Sequence, residues 1–243
     1  MEYYLILILL LIVAFLYASV GHGGASGYLG MMVLLGISPV LMKPSALLLN
    51  MIVSAIATIQ FYKAGYFRKN IFIPFVILSV PFAFIGSRVV LPDHVYKIIL
   101  GICLLISVIR ILMMNYIQTI RNKRSLPLVP ALIIGAGIGI VSGMIGIGGG
   151  ILLSPILLIF KWADIRESAA VAAPFIFINS LSGMTGLWSA GISFTHDIVW
   201  WVVAASIGGL LGSYSGSKKF NTVVLKYVLS VVMIIAATKL FIS

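Results

Sequence analysis

The sequence predicts an all-α polytopic membrane protein made of two homologous, inverted repeats, each containing a helix broken at glycines. Of its 243 residues, 62% are hydrophobic and 9% are charged, and the mean hydropathy is +1.21. A soluble domain typically carries about 25% charged residues, so lipid is the solvent that suits this composition. Several apolar runs also reach the length of about 20 residues that crosses a hydrocarbon core.

Each half of the chain contains five apolar segments, which we letter A to E. In the first half they are residues 3–20, 28–42, 44–62, 71–91 and 95–114. In the second half they are residues 129–145, 150–162, 168–188, 198–216 and 222–242. We interpret the first segment as a retained helix, because no basic residue precedes it and no convincing small-x-small cleavage site follows it. The chain is thus one transmembrane domain, 1–243, with repeat 1 (1–114), a basic linker (115–127) and repeat 2 (128–243).

The repeat is visible when the chain is aligned with itself at an offset of about 125 residues. "SVGHGGASGYLG" then lies over "GMIGIGGGILLSP". Three later matches follow in the same order: "YKAGYF" with "WSAGIS", "FIGSR" with "LLGSY", and "VYKIILG" with "VLKYVLS". Four matches in order predict a duplication.

The orientation of the repeats depends on whether segment B crosses the membrane. If it crosses, each half has an odd number of spans and the repeats are inverted; if it dips in and returns, they are parallel. Basic residues concentrate on the cytoplasmic side of membrane proteins. With a cytoplasmic linker, the inverted arrangement leaves only four of the 16 Lys and Arg residues outside: Lys43, Arg88, Lys97 and Lys239. The parallel arrangement divides them evenly, so we expect inverted repeats in a cell (inner) membrane, with both termini outside.

The glycine stretches predict an anion site. Each glycine inside a helix costs about 1 kcal/mol relative to alanine, so the run at 146–150 predicts a helix break. The helix that restarts there begins with unpaired N–H groups and the positive end of its dipole, which bind an anion without a charged side chain. In transporters with inverted repeats, two such breaks meet near the midplane. The predicted substrate-binding residues are Gly23, Gly24, Ala25, Ser26, Gly146, Gly148, Gly149, Gly150 and Ile151.

Polar residues of the two C segments are further candidates for this site. Asn50 and Ser54 share one helix face in the first half, and Asn179 and Ser182 lie on adjacent turns in the second. Neutral donors suit an oxyanion that must be released, although polar faces in membrane helices also make ordinary interhelical hydrogen bonds. His22 is a candidate for proton coupling, with a packed neutral histidine as the alternative.

Other features narrow the classes of function. All five carboxylates fall at predicted helix ends or loops, which disfavours a cation site built on an intramembrane acid. The single cysteine, Cys103, provides no metal-ligand spacing, and we expect no metal and no cofactor. The excess of 11 positive charges fits cytoplasmic loops better than nucleic-acid binding. The expected partners are therefore a small anionic substrate and the lipid bilayer. The small-xxx-small patterns at 135–143 and 208–216 predict close helix packing.

With its duplicated glycine-rich segment, the "GxGGGxLLxP" pattern at 146–155 and the basic central linker, the chain resembles the sulfite exporter TauE/SafE family of membrane transporters over its whole length. The first copy differs, since Ala25 replaces the last glycine and position 30 is not proline. The resemblance implies secondary transport of small sulfur-containing or organic anions such as sulfite and sulfoacetate.

Two alternatives belong to other classes. A non-transporting membrane scaffold or assembly factor would explain the apolar helices, but it has no need of two broken helices. An intramembrane serine protease would explain the "GASG" pattern, with Ser26 as nucleophile and a histidine as base. The repeat places Ile151 at the position of that serine, which disfavours the protease.

Overall fold

The computed structural model describes residues 2–19, 23–113, 123–192, 194, 197–217 and 223–242. Within these ranges the chain forms ten helices and no strand, which confirms the predicted all-helical class. The helices are α1 Glu2–Ser19, α2 Ala25–Leu34, α3 Pro39–Lys63, α4 Lys69–Arg88, α5 Asp93–Met113, α6 Leu128–Ile145, α7 Gly150–Ile159, α8 Ile165–Trp188, α9 Ile198–Ser217 and α10 Val223–Ile242. Among the described residues, α3, α4, α6 and α8 are long and apolar enough to cross a membrane.

The ten helices correspond to the ten predicted segments, and the largest difference is at segment 28–42. The structure divides this segment, because α2 ends at Leu34 and α3 begins at Pro39. Between them Gly36 adopts a left-handed conformation with φ of 71°, which glycine reaches without steric cost. Proline in the first helical turn suits the start of α3, where its missing N–H would have no partner.

Polar contacts define the two ends of the helix bundle. At one end, which we call the Lys123 end, the Lys123 ammonium lies 2.9 Å from the Asp164 carboxylate that precedes α8. At the other, the Lys43 end, Lys43 donates a 2.7 Å hydrogen bond to the carbonyl of Ser87 near the end of α4. Helix α3 therefore runs from the Lys43 end to the Lys123 end, and α4 and α8 run in the opposite direction.

Glycines bring two pairs of helices into close backbone contact. Helix α6 packs on α4 and α9 packs on α1. A Cβ atom at three of the four glycines of α6 would meet a carbonyl oxygen of α4, in the pairs Gly135–Phe75, Gly139–Ser79 and Gly143–Ala83. Cβ atoms in α9 would meet carbonyls of α1 in the pairs Gly208–Leu11 and Gly212–Phe15. This confirms the predicted close packing for 135–143 and for the described glycines of 208–216, and because the residue numbers rise together, each pair of helices is parallel.

Helices α3 and α8 pack against each other at the centre of the bundle. Around them, α4 contacts α8 and α9 contacts α3, while α5 pairs with α10. The two ten-residue helices occupy the remaining places, α2 against α10 and α7 against α5 and α8. Each of these short helices is about 15 Å long, half the thickness of a hydrocarbon core of about 30 Å.

Candidate functional site

The chain leaves helical geometry between α6 and α7. Helix α6 ends at Ile145, and Gly146, Gly148 and Gly149 all have positive φ, at 90°, 68° and 78°. L-residues with side chains rarely adopt this conformation, which explains the density of glycines. Helix α7 starts at Gly150, and its N-cap, Gly149, offers no side-chain cap.

The first turn of α7 has N–H groups available to a ligand. The first hydrogen bonds of this helix are donated by Leu152 and Leu153 to the carbonyl of Gly149, at 3.1 and 3.0 Å. The N–H groups of Gly150 and Ile151 come before these donors in the chain. Like the first N–H groups of any helix, they have no carbonyl partner within the helix. These N–H groups lie at the positive end of the helix dipole.

The glycine segment, residues 146–149, runs from the Lys43 end to the middle of the bundle. A Cβ atom on Gly146 would lie 2.9 Å from the Lys43 carbonyl, whereas one on Gly148 would lie 3.3 Å from Nδ2 of Asn50, near the middle of α3. Helix α7 then continues to the Lys123 end, where the backbone N–H of Arg124 donates a 3.0 Å hydrogen bond to the carbonyl of Lys161. Residues 146–161 thus run from one end of the bundle to the other, first as a non-helical glycine segment and then as a half-length helix.

Helix α2 begins at a similar depth and runs the other way. Its N-cap is Gly24, with φ of 92° and no side-chain cap, and Ala25 is its first residue. A Cβ atom on Gly23 would lie 2.9 Å from Oδ1 of Asn50, which places the start of α2 beside the middle of α3. The end of α2 leads directly into α3 at the Lys43 end. The amino ends of α2 and α7 therefore approach the middle of the bundle from opposite sides.

The two glycine stretches share the same neighbours. A Cβ atom on Gly23 would lie 2.9 Å from Cγ2 of Ile176 as well as from Asn50. A Cβ atom on Gly148 would lie 2.7 Å from the same Ile176 carbon and 2.8 Å from Oγ of Ser180. Ile176 also contacts the position of a Cβ atom on Gly150. Asn50 and Ile176 therefore lie between the two stretches, with Ser180 beside Gly148, and we call these three with Gly23 and Gly148 the central cluster.

The polar atoms of this region are buried without partners. Both amide atoms of Asn50, Oγ of Ser180, Oδ1 of Asn179 and Oγ of Ser142 make no hydrogen bond to any residue that the structure describes. The Cβ atom of Ser142 lies 3.4 Å from the position of a Cβ atom on Gly149. Leaving a buried polar group unpaired costs about 1–3 kcal/mol, and most such groups in proteins have a partner. A polar ligand would satisfy these atoms.

Three other predicted residues use their side chains elsewhere. The Ser26 hydroxyl lies 2.6 Å from that of Tyr17 and 3.1 Å from that of Ser107, in a buried polar group between α1, α2 and α5. Ser182 donates a 2.6 Å hydrogen bond to the carbonyl of Val80 in α4, the interhelical role that was the alternative for it. Ser54 faces its own helix, with a 3.4 Å hydrogen bond to Met51.

The side chain of Asn179 has one polar atom with a partner and one without. Its Nδ2 donates a 2.9 Å hydrogen bond to the carbonyl of Phe175, while Oδ1 is unpartnered among the described residues. His22 lies outside the described residues.

The sequence did not single out Ser180, Ser142 or Ile176. Most of α8 is buried, so its sequence has no alternation of polar and apolar faces that would identify the side turned towards the glycines. Ser142 lies in a small-residue pattern that reads as helix packing. Only its position beside Gly149 distinguishes it from the packing residues.

A network of ion pairs occupies the Lys123 end. The Glu167 carboxylate, only 4% exposed, lies 2.7 Å from Nε of Arg68 and 2.7 Å from Nζ of Lys123. Hydrogen bonds to Glu167 and to Asp164 raise the pKa of Lys123 above its ordinary value. Burial alone would raise the pKa of Asp164, but hydrogen bonds from the Glu167 N–H and from Lys123 hold it below its usual range. The network joins the loop before α4, the linker and the start of α8.

Comparison with known proteins gives consistent matches. The model of the family described as sulfite exporter TauE/SafE matches residues 6–240. The chain is 38% identical over 232 residues to the probable membrane transporter protein y4hK of Sinorhizobium fredii, covering 94% of each chain. It is 27% identical over 117 residues to the probable membrane transporter protein MJ0441 of Methanocaldococcus jannaschii, covering 47% of this chain and 43% of that protein. No solved structure matches the chain significantly.

Proposed function

Because the chain belongs to the sulfite exporter TauE/SafE family of membrane transporters, we propose that it is a secondary transporter of small anions. The first candidate substrates are sulfite and small organosulfur or organic anions such as sulfoacetate. One observation carries the proposal of an anion. Two half-length helices begin on either side of Asn50, whose buried amide has no partner among the described residues.

The proposed binding site is the central cluster and the adjoining helix starts. The N–H groups of Gly150 and Ile151 would donate to the anion from α7, and those of Ala25 and Ser26 from α2. Asn50 Nδ2 and the Ser180 hydroxyl would complete the set, with Ser142 and Asn179 beside them. These donors are neutral, so they can bind an anion that still has to leave, since an ionic bond in a low-dielectric site is far stronger.

We also propose that the two halves are inverted repeats. The helix contacts support a two-fold relation, because the most extensive contacts recur when every helix is replaced by its counterpart in the other half. Helices α4 and α6 correspond in this way to α9 and α1, and α2 and α10 correspond to α7 and α5. The path of residues 146–161 supports inversion, because segment B then crosses and each half has an odd number of spans.

Cysteine labelling tests the predicted sides. In a Cys103→Ala background, an impermeant maleimide should label Val90→Cys, at the exposed Lys43 end, and Ser243→Cys in intact cells. It should label Arg124→Cys, beside the Lys123 end, only after permeabilisation, because basic loops stay in the cytoplasm. Labelling of Arg124→Cys and Ser243→Cys from the same side would refute inverted repeats.

The role proposed for His22 is to couple anion movement to proton movement. An unperturbed histidine has a pKa near 6.5, so we expect the transport rate to depend on pH between about 5.5 and 7.5. His22→Gln should flatten that dependence while the protein still transports. A pH profile equal to that of the parent would assign His22 to packing.

Transport by the purified protein in liposomes tests the function itself. Uptake of sulfite, sulfoacetate, sulfate and acetate should be compared with uptake by protein-free liposomes. We expect uptake of sulfite or of a small organosulfonate, with and without an imposed pH gradient. If none of these anions enters faster than in empty liposomes, the proposal is wrong.

A further inference from the structure

A cavity lined by charged as well as apolar residues lies at the Lys43 end of the bundle. Its volume is about 270 Å³, and it opens between the start of α3, the end of α4 and the start of α5. Its lining includes Lys43, Arg88, Asp93, Tyr96 and Met144. Two cations and one carboxylate are part of this lining, so its formal charge is positive, whereas the donors of the central cluster are neutral.

The cavity adjoins the glycine segment. The Tyr96 hydroxyl donates a 3.1 Å hydrogen bond to the carbonyl of Ile145, the last residue of α6. A Cβ atom on Gly146 would lie 3.4 Å from Cγ of Lys43 and 2.9 Å from its carbonyl oxygen. The cavity therefore ends where the glycine segment that leads to the middle of the bundle begins.

Lys43 and Asn50 also lie on the same face of α3. They are separated by seven residues, which is two helical turns and about 10 Å along the helix axis. The ammonium of Lys43 is bound through only one contact in the described part of the chain, the carbonyl of Ser87, so two of its three donor positions can serve a ligand. The Arg88 guanidinium lies above the ring of Phe84, 5.4 Å from its centre, at the rim of the cavity.

We propose that this cavity captures the transported oxyanion before it moves to the central cluster, with Lys43 as the main ligand and Arg88 as the second cation. The proposal rests on the proposed transport of small anions. A partly exposed cation pair attracts the anion from water, and the neutral donors about 10 Å deeper then receive it without an ionic bond. The capture site is reached from the Lys43 end, while the Lys123 end is held by ion pairs.

The alternative role for Lys43 is to hold the end of a helix. A second lysine that holds a helix end therefore provides the matched control. Lys239 donates hydrogen bonds of 2.9 and 3.2 Å to the carbonyls of Val33 and Leu34, at the end of α2. It is thus bonded to helix carbonyls just as Lys43 is, but it lies outside this cavity.

The experiment measures the sulfite concentration that half-saturates uptake into phosphatidylcholine liposomes. Lys43→Gln should raise this concentration about tenfold, which is the loss of one charge-assisted hydrogen bond, and should leave the maximal rate within about twofold. Lys43→Arg keeps the charge and should restore most of the affinity. Added sodium chloride should weaken uptake by the parent more than by Lys43→Gln, because salt screens an exposed cation.

The outcomes separate the two proposals. No uptake by the parent protein would overturn both. An active parent with unchanged half-saturation in Lys43→Gln, or equal effects in Lys43→Gln and Lys239→Gln, would overturn the capture site alone. If the Lys43→Gln defect appears only when the liposomes contain phosphatidylglycerol, the cavity binds a lipid headgroup and the capture site is wrong. Should Lys43→Gln fail to insert, Arg88→Gln is expected to show a smaller rise of the same kind, and no rise would overturn the proposal.

Discussion

The variant Gly148→Ala is expected to insert into the membrane and to transport at least about 100-fold more slowly than the parent. Its new methyl group would lie 2.8 Å from Oγ of Ser180 and 3.3 Å from Nδ2 of Asn50. It would occupy the space between the two side chains that we propose as ligands. A displacement of about 1 Å in such a site is enough to cost 100-fold in rate.

A second glycine separates the effect of crowding from that of backbone strain. Gly148 has φ of 68°, so alanine there is also strained by about 1–2 kcal/mol. Gly36 has almost the same φ, 71°, but a Cβ atom there would have no neighbour within 4 Å among the described residues. Gly36→Ala should therefore show the same strain with near-normal transport. Membrane abundance and transport rate are measured for both variants, and equal loss of transport in both would contradict the assignment of Gly148.

The fold could be predicted from the sequence because its signals are local. Runs of apolar residues specify the helices, and glycine marks helix ends, as at Gly146 after α6, whereas the break at Gly36 and Pro39 inside segment 28–42 was not predicted. The sequence also predicted close helix packing at glycines, but it did not predict which helices those glycines contact. An alanine at Gly212 would meet the carbonyl of Phe15, and nothing in either segment's sequence names the other.

The candidate site could be predicted only in part for the same reason. Backbone donors follow from the glycine run, which is a local pattern, and Asn50 was predicted as a polar residue in an apolar segment. Ser180 and Ile176 contribute through the pairing of α3 with α8, a long-range contact that the sequence does not encode as a period. Ser26 shows the converse, because a polar residue at the right place in the motif has its hydroxyl bonded to Tyr17 in another helix.

The position of Lys43 relative to the central cluster was harder still to predict from the sequence. From the sequence, Lys43 was counted only as one of the four basic residues on the outer side, between segments 28–42 and 44–62. The structure places it two turns from Asn50 on the same helix, partly buried and bonded to the end of α4. Its relation to the glycine segment exists only in three dimensions.

The variant Asn50→Leu is expected to be at least as stable as the parent and inactive in transport. Asn50 is fully buried, and neither its Oδ1 nor its Nδ2 has a partner among the described residues. Replacing an unsatisfied buried amide with an apolar side chain of similar size removes a cost of about 1–3 kcal/mol. The same change removes a donor to the anion and leaves an apolar surface in its place.

Thermal unfolding in detergent tests the expected stability, and transport into liposomes tests the expected loss of activity. Asn50→Leu should melt at the same temperature as the parent or higher, and its transport should fall by at least about 100-fold. Ser213→Ala is the matched control, because Ser213 is also buried but its hydroxyl donates a 3.2 Å hydrogen bond to the carbonyl of Leu210. That variant should melt at the same temperature or slightly lower and keep its transport. If Asn50→Leu melts well below the parent, the amide stabilises the fold, and if it transports normally, the anion does not bind there.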